Sequence, residues 1–255
     1  MRGLMNAMGF FPNLFAATIV CTLCPCFPTA TRFIRAFHKM QHALLIYGGW
    51  EGHSPQAFAN RMTGVLSASG FSVDSSDSLD VLLDSKRVGA ASVIIPIWTM
   101  GSITQEQFTA LKEAVASGTG LAGWHGGMCD AFRQHTDYQF LTGGQFVAHP
   151  GNIRPYTVQV LKDSHPITEG IEDFEVVSEQ YYMHVDPSNQ VLATTTFDGD
   201  IHPWIKGTVM PVVWTRSWDK GRVFFSSIGH AVEEFDVPGV LEITRRGILW
   251  AAKAL

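Results

Sequence analysis

The N-terminal half of the chain alternates between apolar segments of strand length and amphipathic segments of helical period. Four segments are predicted strands: 43–48, 70–75, 92–98 and 120–124. Between the first two, Phe58, Met62 and Leu66 recur at helical spacing, which predicts a helix with one buried face. Thr104 and Gln107 form a capping box that predicts the start of a second helix. Strands separated by helices indicate right-handed βαβ units and a parallel sheet.

In the C-terminal half the pattern changes: predicted strands follow one another without intervening helices. Four further strands are predicted: 156–163, 191–197, 210–218 and 221–230. Hairpin-like links join them, and the sequence Asp219-Lys220-Gly221 is typical of a tight turn. A last helix is predicted over 240–253. We expect residues 40–255 to form one α/β domain with extra antiparallel strands in its C-terminal half.

The composition limits the kinds of partner. Apolar residues make up 46% of the chain and charged residues 16%, against roughly 25% charged residues in an average soluble domain. This balance favours a large buried sheet. The net charge is −5 and no basic block follows residue 40, so the sequence lacks the positive patch that nucleic-acid binding requires. The segment GGWEG after the first strand also lacks the G-x-G-x-x-G spacing of a dinucleotide site.

Residues 1–39 differ from the rest of the chain and are predicted to form an extension outside the domain. The extension holds three of the four cysteines: Cys21, Cys24 and Cys26. Its apolar part, residues 8–30, is interrupted by prolines, which disfavours a membrane span. If translation starts at Met40, we expect a cytoplasmic protein; alternatively, residues 1–30 act as a signal peptide or membrane anchor. A zinc or redox site at C-x-x-C is the third interpretation, although no second ligand pair follows.

The segment GWHGG, residues 123–127, has the shape of a nucleophile elbow, in which the central residue occupies a strained turn between strand and helix. The central residue is His125, where enzymes with this motif carry serine or cysteine. Amides at the start of the following helix disfavour an imidazolium, so we expect a neutral ring that acts as general base or metal ligand. The alternative is a histidine that only hydrogen-bonds to hold the turn. The flanking Gly126 and Gly127 clear space around the ring, which favours a site.

Several long motifs, in order, resemble the ThuA-like family, which is named for trehalose utilisation. They are GWHGGMCDAFR, GGQFVAHPGN, HPITEGIEDFEVVSEQYYMH, VMPVVWTRSWDKGRVFFSSIGH and FDVPGVLEITRRGILWAA. The resemblance extends over nearly all of residues 42–253. It implies a flavodoxin-like fold similar to the class I glutamine amidotransferases, with a mostly parallel sheet and helices on both faces. It also implies a role in the metabolism of trehalose or a related sugar or keto-sugar.

The same resemblance argues against amidotransferase chemistry. Amidotransferases of this class carry a catalytic cysteine at the elbow and a histidine on a late strand. Here His125 stands in place of the cysteine, and His230 ends a late predicted strand where the triad histidine would fall. Cys129 lies one helical turn beyond the elbow and is expected to point elsewhere. Glutamine hydrolysis through a thiol is therefore not expected.

Other candidate catalytic and metal-binding residues lie near the same predicted edge of the sheet. His53 follows the first strand, and the carboxyl ends of parallel strands meet at one edge. Glu179 and His184 share the segment EQYYMH, where strand alternation places them on opposite faces unless the strand ends or bulges between them. We predict catalytic roles for His125, His230 and Glu179. A divalent metal such as zinc is a further interpretation, with ligands from His53, His125, His184 and His230.

Aromatic and polar residues near this edge indicate a sugar cleft. The candidate substrate-binding residues are Trp50, Trp98, Trp124, Gly126, Gly127, Asp130, Arg133 and Tyr181. The three tryptophans each lie at or just past the end of a predicted parallel strand, where an aromatic ring can stack on a sugar. Asp130 and Arg133, one helical turn apart, either contact the substrate or pair with each other.

Two classes of function remain. The first is an enzyme that acts on a small sugar or sugar derivative through its histidines. The second is a non-catalytic carbohydrate-binding module on a degenerate amidotransferase fold. Several titratable residues at one edge favour the enzyme, because binding alone needs aromatic and amide groups. In either case the expected partner is a small sugar molecule rather than a nucleic acid, and formation of a homo-oligomer is left open.

Overall fold

The computed structural model describes residues 40–162 and 165–255 of the chain. The predicted extension, residues 1–39, lies outside the described residues, and the interpretations made for it stay predictions. Within the described ranges, no helix has both the length and the hydrophobicity needed to cross a membrane.

The described residues form eleven strands and six α-helices. The strands are β1 (Gln41–Gly49), β2 (Phe71–Ser76), β3 (Val93–Thr99), β4 (Gly120–Trp124), β5 (Gly144–Ala148), β6 (Ile153–Val160), β7 (Phe174–Glu179), β8 (Tyr182–Val185), β9 (Gln190–Thr196), β10 (Val209–Trp218) and β11 (Gly221–Ser226). The helices are α1 (Pro55–Ala68), α2 (Ser85–Ala90), α3 (Gln105–Ser117), α4 (Gly126–Cys129), α5 (Thr136–Thr142) and α6 (Pro238–Ala251). Every predicted strand is present, whereas the strands β5, β7 and β8 and the helices α2 and α5 were not among the predicted elements.

Nine strands form one sheet in the order β2-β1-β3-β4-β11-β10-β9-β6-β7, and β5 pairs with β8 in a separate ribbon. The neighbours from β2 to β11 are parallel. The neighbours from β11 to β7 are antiparallel. The predicted α/β class, with a parallel sheet and extra antiparallel strands in the C-terminal half, is confirmed.

Alternating side chains of the central strands fill two hydrophobic cores, one on each face of the sheet. In β1, Ala43 and Leu45 face the core covered by α1 and α6. Leu44 and Ile46 face the core covered by α3. Helices therefore cover both faces, as the family resemblance implied. Because both faces are buried, β1 and β3 are continuous apolar runs rather than alternating ones.

The capping box predicted at α3 is present and determines where that helix begins. The Thr104 hydroxyl accepts from the Gln107 amide at 3.2 Å, and the Gln107 side chain accepts from the Thr104 amide at 3.0 Å. Gly118 ends the helix with a φ of 122°, a conformation that glycine adopts at little steric cost. The chain then enters β4, at the centre of the sheet, which leads directly to the elbow.

Two routes bring the chain to the edge of the sheet where the elbow lies. β1, β3, β4 and β11 run parallel, so their carboxyl ends meet at that edge. β6 pairs with β9 at two positions, Gln159 with Thr194 and Val160 with Ala193. It then pairs with β7 along six positions, and this β6–β7 hairpin ends at Glu179.

Candidate functional site

The predicted elbow is present between β4 and α4, with His125 at its tip. His125 has a φ of 48° and a ψ of −143°, a strained conformation for a residue with a side chain. The residue is 1% exposed, and its Nδ1 lies 2.8 Å from the carbonyl oxygen of Ser227, just past β11. Its backbone amide donates to the carbonyl oxygen of Ser226 at 2.7 Å. These contacts hold the elbow against the neighbouring parallel strand.

The two glycines after His125 allow close packing at the elbow. A Cβ at Gly126 would lie 2.7 Å from Cε1 of His53, and a Cβ at Gly127 would lie 3.2 Å from Cα of Ile97. Gly126 therefore lets the His53 ring approach the elbow. The helix that these glycines begin, α4, has only four residues. Its amides therefore add less positive potential at His125 than those of a helix of ordinary length would.

Three histidines and one glutamate converge beside the elbow: His53, His125, Glu179 and His230. One potential ligand atom from each lies within 4.8 Å of every other. Oε2 of Glu179 lies between two rings, 3.1 Å from His125 Nε2 and 3.3 Å from His230 Nδ1. Nδ1 of His53 lies 2.9 Å from Oγ1 of Thr99, at the end of β3. We call the four residues the histidine–glutamate cluster.

The break between β7 and β8 decides which of the predicted residues reach the cluster. β7 ends at Glu179 and β8 begins three residues later, so the strand alternation across EQYYMH is interrupted. Tyr181 stacks on the His125 ring, with 4.1 Å between centroids and 27° between planes. His184 pairs with Gln145 in the β5–β8 ribbon and is exposed. The structure therefore does not bring His184, a predicted metal ligand, to the cluster.

Glu234 holds the loop that carries His230, and this role was not predicted from the sequence. Its Oε2 accepts from the backbone amides of Gly229 and His230 at 3.0 and 3.1 Å, and from the Ser178 hydroxyl at 2.8 Å. Because Ser178 belongs to β7, this buried carboxylate links the loop after β11 to the β6–β7 hairpin. No capping-box signature announced this role, because the N-cap position before Glu234 is Ala231, whose side chain cannot accept a hydrogen bond.

Burial and mutual contact shift the pKa values of three members of the cluster. Burial lowers the pKa of His53 to about 3, and the neighbouring His125 and His230 rings add to the shift. Burial raises the pKa of Glu179, but contacts with His125 and His230 outweigh burial and hold that pKa well below its usual range. The adjacent Glu179 carboxylate raises the pKa of His230. Without a bound ion, the cluster thus holds an ionised carboxylate beside a neutral His53 ring at neutral pH.

Comparison with known proteins identifies the family of this chain. A sequence profile described as ThuA, trehalose utilisation, matches residues 42–251. The chain belongs to the ThuA family. No curated protein sequence matches it.

Solved structures with the same fold include two ThuA-like proteins. The one from Parabacteroides merdae ATCC 43184 superposes with a TM-score of 0.70 at 19% identity, over 84% of this chain and 90% of that chain. The one from Bacteroides uniformis ATCC 8492 has a TM-score of 0.69 at 21% identity, over 83% of this chain and 91% of that chain. A β-galactosidase from Bacillus circulans sp. alkalophilus matches at a TM-score of 0.54 and 13% identity, over 84% of this chain and 30% of the enzyme. At these identities the likeness concerns the fold.

In this ThuA-family chain the three tryptophans predicted to stack on a sugar occupy different environments. Trp50 is 47% exposed, and its ring centroid lies 4.8 Å from that of His53. Trp98 is half-buried and lines a cavity of about 360 Å³ that none of the four cluster residues borders. The prediction that Trp124 lines a cleft is wrong, because its ring is buried and packs against Phe235 and against α1. As the last residue of β4, Trp124 points into the core that α1 and α6 cover.

Residues just beyond the elbow take part in packing rather than in the cluster. Asp130 and Arg133 bind each other through two hydrogen bonds of 2.6 and 2.7 Å, which is the second of the two interpretations given for them. Cys129 is buried in the core on the α3 face of the sheet, and burial raises the pKa of its thiol well above the usual range. As predicted, Cys129 points away from the elbow.

His149 approaches the cluster from the connection between β5 and β6. Its Nε2 lies 3.7 Å from Oε1 of Glu179, and 34% of its side chain is exposed. Its ring stacks on Phe146 with 5.6 Å between centroids. His149 is therefore placed to contact a molecule bound at the outer side of the cluster.

An open cavity of about 410 Å³ borders the cluster at His230. Aliphatic side chains of the β6–β7 hairpin, among them Pro155 and Val177, form one wall. Glu175 and Glu233 add carboxylates to the lining. The cavity gives a small molecule a path to the His230 side of the cluster.

Proposed function

We propose that this ThuA-family protein is an enzyme that modifies a carbohydrate at the histidine–glutamate cluster. The convergence of three imidazole rings on one carboxylate carries the proposal. Ionisable groups with strongly shifted pKa values are concentrated at reacting centres, whereas sugar binding alone needs aromatic and hydrogen-bonding groups. The cluster also lies where the carboxyl ends of β1, β4 and β11 meet, and open α/β proteins bind their ligands at that edge.

The surroundings of the cluster support a sugar as the substrate class. Aliphatic walls of the cavity beside His230 can pack against the C–H face of a sugar ring, and Glu175 and Glu233 can accept hydrogen bonds from hydroxyl groups. On the His53 side, the exposed ring of Trp50 offers a stacking surface. The family description, trehalose utilisation, supports the same class. Trehalose and its keto derivatives are therefore the first substrates to test.

The residues of the cluster favour chemistry at a hydroxyl or carbonyl group of the sugar. Imidazole and carboxylate groups transfer protons to and from oxygen, or hold a metal ion that polarises it. Thiol chemistry is disfavoured, because His125 occupies the elbow and the thiol of Cys129 is buried with a raised pKa. We therefore propose a sugar-modifying reaction at the His125–Glu179–His230 side of the cluster and no glutaminase activity.

The experiment follows sugar conversion by NMR. The purified full-length protein is incubated with trehalose, other disaccharides and their keto derivatives, and the appearance of new sugar signals is measured over time. We expect conversion by the wild type and a loss of at least about 100-fold in His125→Ala, the size of effect typical of a lost acid–base group. His184→Ala, which changes an exposed histidine outside the cluster, is the matched control and should retain full activity.

Two results would contradict the proposal. Binding of a sugar without any product in the wild type would favour the non-catalytic carbohydrate-binding module. Equal conversion by the wild type and His125→Ala, with both proteins folded by circular dichroism, would place the reaction elsewhere on the chain.

A further inference from the structure

We propose that the histidine–glutamate cluster binds a single divalent transition-metal ion, with zinc as the first candidate. The ligands are His53, His125, Glu179 and His230. The proposal rests on the proposed function in so far as both place the active centre at these residues. It requires no particular substrate, so the metal site can be tested by itself.

The hydrogen bond behind the His125 ring determines which of its nitrogens faces the cluster. A backbone carbonyl can only accept, so Nδ1 of His125 donates its proton to Ser227 O at 2.8 Å. In a neutral ring Nε2 then carries a lone pair, and it lies 3.1 Å from Oε2 of Glu179, which also offers lone pairs. Two acceptors at this distance require a cation against them. That cation is either a proton shared between the ring and the carboxylate or a metal ion.

His230 favours the metal ion over the second proton. Its Nδ1 is buried and lies 3.3 Å from Oε2 of Glu179, but it has no well-aligned hydrogen-bond partner among the described residues. A second proton on His125 would account for the contact between His125 and Glu179, but the contact between His230 Nδ1 and the same carboxylate oxygen would stay poorly aligned. A metal ion bound by all three residues satisfies each of them, as is usual for buried polar atoms.

The contacts behind the rings follow a pattern found around metal-binding histidines. Such histidines use their second ring nitrogen for a hydrogen bond that fixes the orientation of the ring. His125 does so with Ser227, and His53 does so through Nδ1 and the hydroxyl of Thr99 at 2.9 Å. Nε2 of His53 is then left to bind the ion.

Spacing and ligand chemistry suit a small first-row ion. Zinc bonds of about 2.0–2.2 Å place two ligands of one ion no more than about 4.4 Å apart. The four ligand atoms already lie within 4.8 Å of one another, so they need to close only slightly. Three imidazoles and a carboxylate suit zinc or cobalt(II), whereas magnesium and calcium prefer oxygen ligands. Because His230 borders the open cavity, a substrate oxygen would reach the ion from that side.

The test measures metal binding directly in the full-length chain. Thiols also bind zinc, so Cys21, Cys24 and Cys26 are replaced by serine in every sample. Metals in the purified protein are measured by plasma mass spectrometry, and stripped protein is titrated with Zn²⁺ by calorimetry. We expect one Zn²⁺ per chain and a melting temperature that rises with the zinc concentration. Co²⁺ should give visible d–d absorption when it replaces zinc.

Variants of the ligands locate the ion. His53→Ala and His230→Ala should each weaken zinc binding by more than about 100-fold, since the loss of an outer partner alone costs about 10–100-fold. Thr99→Val keeps the shape of the side chain that orients His53, and it should weaken binding by about 10–100-fold. His184→Ala should leave zinc affinity unchanged. Circular dichroism verifies that each variant is folded.

The outcomes distinguish failure of the metal site from failure of the proposed enzyme. If stripped wild type binds Zn²⁺ and Co²⁺ no more tightly than His230→Ala does, the metal site is wrong. If that same protein nevertheless converted a sugar, the proposed enzymatic function would still be supported. One bound zinc that is lost in His53→Ala and His230→Ala supports the metal site, even if no carbohydrate is converted.

Discussion

The parallel strands and the β6–β7 hairpin supply the same cluster by different routes. His53, His125 and His230 follow the carboxyl ends of β1, β4 and β11, where the parallel arrangement alone brings them to one edge. Glu179 arrives at the end of a hairpin that pairs with β9 at two positions. Sheet topology thus places the imidazole rings, and a longer-range tertiary contact places the carboxylate between them.

The two regions differ in the contacts that hold their residues in place. The elbow is fixed by backbone hydrogen bonds to β11, including the one from the His125 amide to Ser226. The end of the hairpin is held by side chains, in particular by the hydrogen bond from Ser178 to Glu234. We expect changes in the hairpin to affect the chemistry of the site, and changes at the elbow to affect both chemistry and fold.

The largest effect on zinc affinity is expected from a variant that removes the negative charge of Glu179 and keeps the shape of its side chain. Glu179→Gln replaces an anionic ligand with a neutral amide, so zinc affinity and any sugar conversion should fall by more than about 100-fold. The fold should persist, because the amide is nearly isosteric. Calorimetric zinc titration and the NMR assay measure the two effects. Glu172→Gln, at a side chain that is 83% exposed just before β7, is the control. If the Glu179→Gln protein had wild-type zinc affinity, the three histidines that follow the parallel strands would be sufficient to bind the ion.

A smaller effect is expected at the link between the two regions. Glu234→Gln leaves a buried site with fewer acceptors for the amides around His230, and it should lower the free energy of unfolding by about 1–3 kcal/mol. Zinc affinity should fall by about tenfold, because the orientation of His230 is lost. Ile243→Val, a buried change in α6 that costs about 0.5–1.5 kcal/mol, is a control of comparable stability that should leave zinc affinity intact. Equal zinc affinity in both variants would reduce Glu234 to a purely structural role.

The strain at the elbow predicts an ordering of two variants. At a φ of 48°, alanine pays a steric cost that glycine avoids, so His125→Gly should be more stable than His125→Ala by about 1 kcal/mol. Both should lose zinc binding, since neither offers a ligand. Urea unfolding measures the difference in stability. If His125→Ala equals or exceeds His125→Gly in stability, the elbow conformation is not strained in solution.

The smallest effect is expected in α6, which packs on the parallel region away from the cluster. Hydrogen bonds from Arg245, with further ones from Arg246, lower the pKa of Glu242 to about 2. A lowered pKa stabilises the fold above the unfolded value near 4.5, and this contribution is lost as the pH falls toward 2. Because the pair is partly exposed, Glu242→Gln should cost at most about 1 kcal/mol at pH 7. Its melting-temperature difference from wild type should shrink by about pH 3, and a constant difference would contradict the ion-pair explanation.

The parallel region could be predicted from the sequence because its signals are local. Hydrophobic period located β1, β3 and β4, the capping box of Thr104 and Gln107 located α3, and small residues around His125 located the elbow. Once the strands are parallel, their carboxyl ends meet without further information. His53 followed from that rule, whereas His230 was predicted from the family resemblance, as the counterpart of the triad histidine at the end of a late strand.

The rest depends on contacts that local patterns do not contain. The break after Glu179, which separates it from His184, arises where β7 ends and β8 joins β5, a pairing distant in the chain. Trp124 was misassigned for another reason. Both faces of β4 are buried, so strand alternation does not distinguish the core from a cleft. Glu234 was not predicted because its carboxylate accepts hydrogen bonds from backbone amides. Any residue type can supply a backbone amide, so such partners cannot be recognised in the sequence.

The wide spacing of the cluster along the chain ties ligand binding to the completion of folding. A folding intermediate that has assembled only β1 to β4 holds His53 and His125 but neither Glu179 nor His230. An ion or substrate that needs all four residues therefore binds only the finished domain, and its binding energy is added to global unfolding rather than to local opening. Bound ligand should accordingly slow hydrogen exchange of the most protected amides of the central strands as well as those beside the site.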